Sequence, residues 1–276
     1  MTLGLLPVTA QSVAAQAGPT IPVEAWSLRN VMPTVQVSPD GKQLVLLKLF
    51  SKEGEYIMEL YDTSDLRKKP FRADAKPMEI ISAGFVDDRY IFGTAWQVKR
   101  KSVKRPEADV RDYLAFSFDT QTKKFKKVPG NFNIVNTLPA DPEHVIVASG
   151  RNESRDTGDD PFAAFRPRNY YKFNLSTGVR SLILKGSEKY PQAVFDFNGE
   201  PRFTQSIDRT TNELSYYIRA PGAGSWTEAP IKYDYDDMAE MYRIAGSYGV
   251  QGFDPEDPAI ASILDDRGED KISLYK

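Results

Sequence analysis

Residues 35–49, VQVSPDGKQLVLLKL, carry the pattern that decides the fold. Two short apolar runs are separated by Ser38-Pro39-Asp40-Gly41. Proline and glycine at these positions favour a tight turn, and the aliphatic and β-branched residues on either side favour strands. The stretch therefore predicts a β-hairpin, and the first question is whether the same unit occurs again along the chain.

The same strand-and-turn signature returns at regular distances. Alternating, aromatic-rich runs end at Asp62, Asp119, Asn174 and Arg219, and these positions are separated by steps of 57, 55 and 45 residues. A further run of this kind, ISLYK, begins at residue 272. A repeat of this length that consists of short strands is typical of the blades of a β-propeller.

We therefore predict an all-β fold, an incomplete β-propeller with about four and a half blades, each a four-stranded antiparallel sheet. The propeller domain covers residues 18–276. Its blades lie near residues 34–74, 78–130, 131–189, 190–245 and 246–276. The alternative is a β-sandwich, which also has short alternating strands but usually lacks a repeat of four strands. Helix is nearly absent, with one or two turns expected at residues 235–242.

Composition excludes several classes of protein. The chain has 276 residues, 41% hydrophobic and 27% charged, which is ordinary for a globular protein. A net charge of −2 argues against a nucleic-acid partner, and no apolar run is long enough for a membrane span. The absence of cysteine excludes disulfides and thiolate chemistry, and a single histidine excludes a zinc site built on several histidines.

The first 17 residues differ from the rest. Residues 3–17, LGLLPVTAQSVAAQA, are uncharged and end in Ala15-Gln16-Ala17, an A-x-A cleavage pattern. The first basic residue is Arg29, so the positive segment of a secretory signal is missing. A disordered tail is one interpretation. We favour the remnant of a secretory signal that starts upstream of Met1, which predicts a periplasmic or secreted protein.

Two predicted loops are unusually long. Residues 98–111 and 151–168 are polar, charged and contain proline, and each would connect the second and third strands of a blade. In a propeller these connections lie on the same face, so neighbouring blades would place the two loops side by side. Loops of this length commonly bind something, cover something or are disordered.

A resemblance to a known family is carried by residues 21–47, IPVEAWSLRNVMPTVQVSPDGKQLVLL. The Ile-Pro start, Trp26 and the run Val37–Lys42 resemble the first blade of the propeller in the prolyl oligopeptidase family of serine peptidases, which includes dipeptidyl aminopeptidases and acylaminoacyl peptidases. Residues 252–255, GFDP, and 262–275, SILDDRGEDKISLY, resemble a later blade. The resemblance covers roughly residues 21–276. Ser-Pro-Asp-Gly turns also occur in propellers of the TolB type.

The resemblance implies a catalytic Ser–Asp–His domain of the α/β-hydrolase class after the propeller, and the nucleophile elbow of that domain reads G-x-S-x-G. The nearest match, residues 246–249 (GSYG), does not have this spacing. His144 follows Asp141-Pro142-Glu143 at the start of the run VIVAS, which favours a turn residue over a catalytic base. We therefore assign no catalytic residue to this chain.

Charged loop residues give three weaker candidates. A basic cluster in the first long loop, which either attracts an anionic partner or is simply solvated, comprises Lys99, Arg100, Lys101, Lys104 and Arg105. Asp156, Asp159 and Asp160 lack the calcium-binding pattern D-x-[DN]-x-[DN]-G, so we expect no metal and no cofactor. The candidates for a substrate-facing rim, with loop solubility as the alternative role, are Arg151, Arg155, Arg166 and Arg168.

Two functions from different classes follow. In the first, the chain is the non-catalytic propeller of a prolyl oligopeptidase-like serine peptidase, and its partners are the hydrolase domain and peptide substrates. The propeller would restrict access to the active site, and the hydrolase activity would belong to the full-length protein. In the second, the chain is a stand-alone periplasmic propeller of the TolB type that binds another protein. Four and a half blades would leave the ring unclosed, which argues against the second function.

Overall fold

The computed structural model describes most of the chain. The described residues are 28–100, 110–149, 165–208, 210–211, 213–230, 249–265 and 271–276. The expectations for residues 1–17 and for residues 235–242 lie outside them. Within the described residues the regular structure is β and contains no α-helix, and no helix there could cross a membrane.

Within the described residues, nineteen strands form five antiparallel sheets, and in each sheet the strands follow one another in chain order. Sheet one contains β1 (Thr34–Val37), β2 (Gln43–Leu49), β3 (Tyr56–Asp62) and β4 (Phe71–Ala73). Sheet two contains β5 (Glu79–Phe85), β6 (Tyr90–Arg100), β7 (Val110–Asp119) and β8 (Lys124–Pro129). Sheet three contains β9 (Phe132–Asn136), β10 (His144–Ser149), β11 (Asn169–Asn174) and β12 (Arg180–Lys185). Sheet four contains β13 (Val194–Phe195), β14 (Pro201–Ile207), β15 (Leu214–Ile218) and β16 (Thr227–Glu228). Sheet five contains β17 (Gly249–Phe253), β18 (Ala261–Asp265) and β19 (Ser273–Tyr275).

The apolar residues form separate clusters, each shared by two successive sheets. In sheet two, Ile91 and Ala95 pack in a cluster with residues of sheet one, whereas Tyr90 and Phe92 pack in a cluster with residues of sheet three. Alternate side chains of a strand point to opposite faces, so a sheet that is apolar at successive positions is covered on both faces. A β-sandwich has one core between two sheets, and this chain has a series of cores. The predicted incomplete propeller is confirmed.

The first strands lie next to one another at three of the junctions between successive sheets. β13 contacts both β9 and β17, and β5 contacts β1. The outer strands are short or polar, as in β4, β16 and the lysine-rich β8. The sheets therefore fan outward from a common inner side, which is the arrangement that places all first strands together in a propeller.

Each sheet has two different ends. The turns between first and second strands and between third and fourth strands, such as residues 38–42, 120–123 and 196–200, lie at what we call the turn end. The connections between second and third strands and between successive sheets, such as residues 50–55 and 186–193, lie at the loop end. This distinction follows from the strand order alone and locates the candidate sites.

Repeated side-chain caps close the turn end. Asp62, Asp119 and Asn174 are each the last residue of a third strand, and the side-chain oxygen of each accepts hydrogen bonds from backbone N–H groups two or three residues later. These contacts are Asx turns, in which aspartate or asparagine substitutes for a backbone acceptor. Bonds between sheets add to them: the Asp40 N–H donates to Asp88 Oδ1 at 2.7 Å.

Candidate functional site at the loop end

The stems of the two long loops lie at the loop end of neighbouring sheets. The pairing of β6 with β7 extends to Arg100 and Val110, and the pairing of β10 with β11 extends to Ala148 and Tyr170. Sheets two and three share a hydrophobic cluster, so the two stems belong to neighbouring sheets and lie at the same end of them. The loops themselves, including Lys101, Lys104, Arg105, Asp156, Asp159 and Asp160, lie outside the described residues.

Two of the four rim candidates can be placed. Arg151 and Arg155 lie outside the described residues, whereas Arg166 and Arg168 are half-buried at the loop end. The Arg168 N–H donates to the Pro191 carbonyl at 2.8 Å, and the Arg168 carbonyl accepts from Gly186 at 2.8 Å. These bonds fix the backbone of Arg168 to the connection between sheets three and four.

Phe165, which the sequence analysis did not single out, anchors the same segment. Its side chain is 4% exposed and packs in the cluster that contains Phe203, Leu214 and Tyr216 of sheet four. Full burial of a phenylalanine contributes about 2 kcal/mol relative to exposure. The returning end of the second long loop is therefore held against sheet four, and Arg166 follows the anchor directly. Two phenylalanines in an otherwise charged stretch, PFAAFRPR, were the available signal.

The stem of the first long loop positions charge by a different contact. Lys99 Nζ lies 3.1 Å from Asp112 Oδ2, across the β6–β7 pair. The Arg111 guanidinium lies 4.1 Å from the centre of the Trp96 ring, a cation–π distance. Both pairs are at the surface, so each is worth at most about 1 kcal/mol. They nevertheless orient basic side chains at the loop end of sheet two.

His144 lies at the turn end, at the opposite end of sheet three from these arginines. Its Nδ1 is 2.8 Å from Asp141 Oδ1, and its Nε2 is 3.1 Å from the Asn174 side-chain nitrogen. A catalytic histidine keeps one ring nitrogen for its nucleophile. Here both nitrogens hold neighbouring turns together, which agrees with the interpretation of His144 as a turn residue.

Asp141 is also bonded to a lysine. Its second oxygen lies 2.7 Å from Lys172 Nζ. The hydrogen bonds from Lys172 and then from His144 lower the pKa of the Asp141 carboxyl, so it remains ionised at neutral pH. In the part of the chain that the structure describes, no three histidine, aspartate or glutamate residues are grouped so as to hold a metal ion.

Sequence comparison finds no relative: no protein-family model and no curated protein matches this chain. Structural comparison finds the fold in several solved proteins. A prolyl endopeptidase is 9% identical with a TM-score of 0.52, over 89% of this chain and 34% of that protein. An acylaminoacyl peptidase of Pyrococcus horikoshii is 13% identical with a TM-score of 0.48, over 90% and 37%. TolB of Acinetobacter baumannii is 12% identical with a TM-score of 0.39, over 88% and 56%.

The similarity to the prolyl endopeptidase extends over nearly all of this chain, which therefore has the β-propeller fold seen in that class of peptidase. At the level of fold, the resemblance inferred from residues 21–47 is confirmed. The chain spans about a third of the length of the two peptidases.

Proposed function

We propose that this chain is the propeller part of a serine peptidase of the prolyl oligopeptidase type, and that it restricts the access of peptides to a hydrolase domain. The observation that carries the proposal is the fold match to a prolyl endopeptidase over 89% of this chain but only 34% of that protein. Because the match covers only one part of that enzyme, a propeller of this kind is suited to act on the remaining part.

Within this proposal, Arg166 and Arg168 are the substrate-facing residues. Support comes from the Phe165 anchor and from the bonds of Arg168 to residues 186 and 191, because a fixed backbone presents charge more precisely than a free loop does. Guanidinium groups bind carboxylates with two parallel hydrogen bonds. We therefore propose that the loop end prefers peptides that carry an acidic residue.

The first experiment uses the complete reading frame that contains this chain. The encoded protein is expressed and assayed with a short chromogenic peptide and with a folded protein substrate. The proposal expects turnover of the peptide, loss of that turnover after treatment with a covalent serine reagent, and much slower cleavage of the folded protein. A reading frame without a Ser–Asp–His domain, or a pure protein without peptidase activity, would overturn it. The TolB-type alternative expects that outcome, with capture of a protein partner in its place.

The second experiment tests the rim. The double variant Arg166→Ala/Arg168→Ala should raise KM for an acidic peptide about tenfold and leave kcat nearly unchanged, since it removes binding that is equal in the ground and transition states. A neutral peptide of the same length should be cleaved as before. Lys42→Ala, a basic-residue change in a turn at the opposite end, is the matched control. Equal effects on acidic and neutral peptides would reject the rim and leave the peptidase assignment standing.

We also propose that the mature protein works outside the cytoplasm. The support is the uncharged segment that ends in Ala15-Gln16-Ala17. Amino-terminal sequencing of protein recovered from the periplasmic fraction should find a start directly after Ala17. Recovery of the uncleaved chain from the cytoplasmic fraction would contradict this localisation.

A further inference from the structure

A cavity lies between sheets three and four, and most of the residues that line it belong to the turns at the turn end. Its volume is about 290 Å³. Leu138, Ile146 and Phe195 form the floor and are 5%, 1% and 5% exposed. The rim carries Ile183 and Phe197, which are 41% and 40% exposed. A pocket with an apolar floor and an apolar rim is the usual form of a site that accepts an apolar group.

The backbone around this cavity is irregular where its shape is set. Leu138 has φ +48°, a left-handed conformation that a bulky residue rarely adopts. Gly199 has φ +81°, and a Cβ there would lie 2.6 Å from Leu138 Cδ2. Strain of this kind costs of order 1–3 kcal/mol and is concentrated at binding sites. The two residues together keep the cavity open at its floor.

A β-bulge places the rim residue. The pairing of β11 with β12 shifts register between Tyr170 and Tyr171, so Ile183 is an extra residue between Leu182 and Leu184. Among the described pairs of third and fourth strands, this is the only one with such a shift. Bulges redirect side chains next to functional sites. Here Leu184 packs against the cluster shared with sheet four, and Ile183 lines the cavity instead.

The outer edge of β12 adds a reason to expect a polypeptide. β12 is the last strand of its sheet, and no described strand pairs with its outer edge. An extended peptide binds such an edge through backbone hydrogen bonds, and pockets for its side chains provide specificity. The edge near Ile183 and the cavity are continuous, because Ile183 belongs to both.

The charged side chains that line the cavity do not cancel one another. Asp141 and Lys172 form an ion pair at 2.7 Å. Glu200 also lines the cavity, is exposed, and accepts the Gly222 N–H with one carboxylate oxygen at 2.8 Å. The three side chains carry a formal charge of −1 in total. This charge favours a cation beside the apolar group of the ligand.

We propose that this cavity binds an extended polypeptide segment in which a branched aliphatic or aromatic residue is followed two positions later by lysine or arginine, so that both side chains point to the same face. The apolar side chain occupies the space above Leu138, Ile146 and Phe195. The basic side chain lies near Glu200, and the peptide backbone bonds to the edge of β12. The site is separate from the loop end and does not depend on the peptidase assignment.

The experiment titrates methyl-labelled full-length chain with the peptide acetyl-Ser-Leu-Ser-Arg-Ser-amide and follows the methyl signals by NMR. We expect the signals of Ile183 and Leu138 to shift with a Kd of about 0.1–1 mM. Acetyl-Ser-Leu-Ser-Glu-Ser-amide should bind about fivefold more weakly because it places an anion near Glu200. Absence of shifts at about 10 mM peptide, or tighter binding of the glutamate peptide, would overturn the proposal.

Two variants of adjacent residues provide the control. Leu182→Ser changes an exposed leucine that pairs with Tyr171, and Tyr171 packs in the cluster between sheets two and three. Ile183→Ser should weaken binding at least fivefold, whereas Leu182→Ser should leave it within about twofold. Glu200→Gln should abolish the preference for the arginine peptide. Equal losses for the two serine variants would place the peptide elsewhere and reject the site.

Discussion

The two faces of sheet one have the same kind of residues and very different surroundings. On the face toward sheet two, Val45, Leu47 and Met58 are fully buried. On the opposite face, Val35 is 59% exposed and Val37 is 50% exposed. The exposed pair lies on β1, and the buried residues lie on β2 and β3 of the same sheet. The difference therefore lies in what covers each face, since the residue types are alike.

The open face also contains an unusual buried carboxylate. The Glu59 side chain is 0% exposed, accepts from Arg72 Nε at 2.7 Å and from the Tyr61 hydroxyl at 2.9 Å. Arg72 lies over the Phe50 ring at 4.9 Å. A sheet that has apolar residues on both faces and a satisfied charge in the middle is suited to packing on both sides. Sheet one thus has the composition of an inner layer, although the described residues cover only one of its faces.

The largest expected difference in the free energy of unfolding is between variants of two adjacent leucines of β2. Leu47 is fully buried toward sheet two, and Leu46 is half-buried on the open face. Leu47→Ala should lower the free energy of unfolding by about 2–5 kcal/mol, because it removes buried methyl groups and leaves a cavity. Leu46→Ala should cost about 1 kcal/mol or less. Urea unfolding measures both, and equal losses would show that the open face is covered as well as the other.

The next effect tests the buried carboxylate. Arg72→Ala should cost about 2 kcal/mol, because the buried Glu59 side chain loses its hydrogen-bonded cationic partner. Glu59→Gln in the same chain should recover part of that loss, since an amide is cheaper to leave unpaired than a carboxylate. Arg67→Ala is the control: Arg67 pairs with Asp65 at the surface and is 94% exposed, so its loss should cost under about 0.5 kcal/mol. Losses of similar size in Arg67→Ala and Arg72→Ala would contradict the importance of burial.

A smaller effect concerns the dependence of stability on acidic pH. Arg89 bonds Asp119 through Nε at 3.2 Å and Nη2 at 2.7 Å, and this contact lowers the pKa of Asp119 from its ordinary value of 3.8. A depressed folded-state pKa stabilises the protein above the unfolded pKa, and the stabilisation is lost as pH falls through the folded value. Asp119→Asn should therefore cost about 1 kcal/mol at pH 7 and progressively less below about pH 4.

The control for that experiment is the equivalent residue of sheet three. Asn174 caps the equivalent turn of sheet three without a charge, so a cap at this position does not need a charged side chain. Asp119→Asn keeps the cap and removes only the ion pair. Thermal unfolding of both proteins from pH 7 to pH 3 measures the difference. A difference in stability that does not shrink toward pH 3 would show that the ion pair is not its source.

The fold was predictable because its signals are local. Turn residues such as Pro39-Asp40-Gly41 and the caps at Asp62, Asp119 and Asn174 act within a few residues, and alternation reveals the strands. The regular spacing of these signals then distinguishes a propeller from a sandwich.

The candidate sites were less predictable because they depend on distant contacts. Phe165 anchors a loop through residues of sheet four, and the sequence around it shows only that two phenylalanines stand in a charged stretch. The cavity above Leu138 requires a left-handed leucine and a bulge at Ile183, neither of which has a local signature. Burial of Glu59 likewise depends on Arg72 and Tyr61 folding over it. These features arise from tertiary packing, which a single sequence does not display.

Val35→Lys should have the smallest effect on the free energy of unfolding and the largest effect on self-association. Val35→Lys places a charge on the open face of sheet one, where the side chain is exposed, so it should change the free energy of unfolding by under about 0.5 kcal/mol. Exposed apolar sheet faces and open sheet flanks promote association, and lysine opposes it. The unaltered chain should therefore show concentration-dependent association in sedimentation velocity, and Val35→Lys should reduce it. Ser64→Lys adds the same charge at a turn and should not. If the unaltered chain is a monodisperse monomer that unfolds cooperatively, the open face needs no cover, and the contrast between the two faces of sheet one loses its meaning.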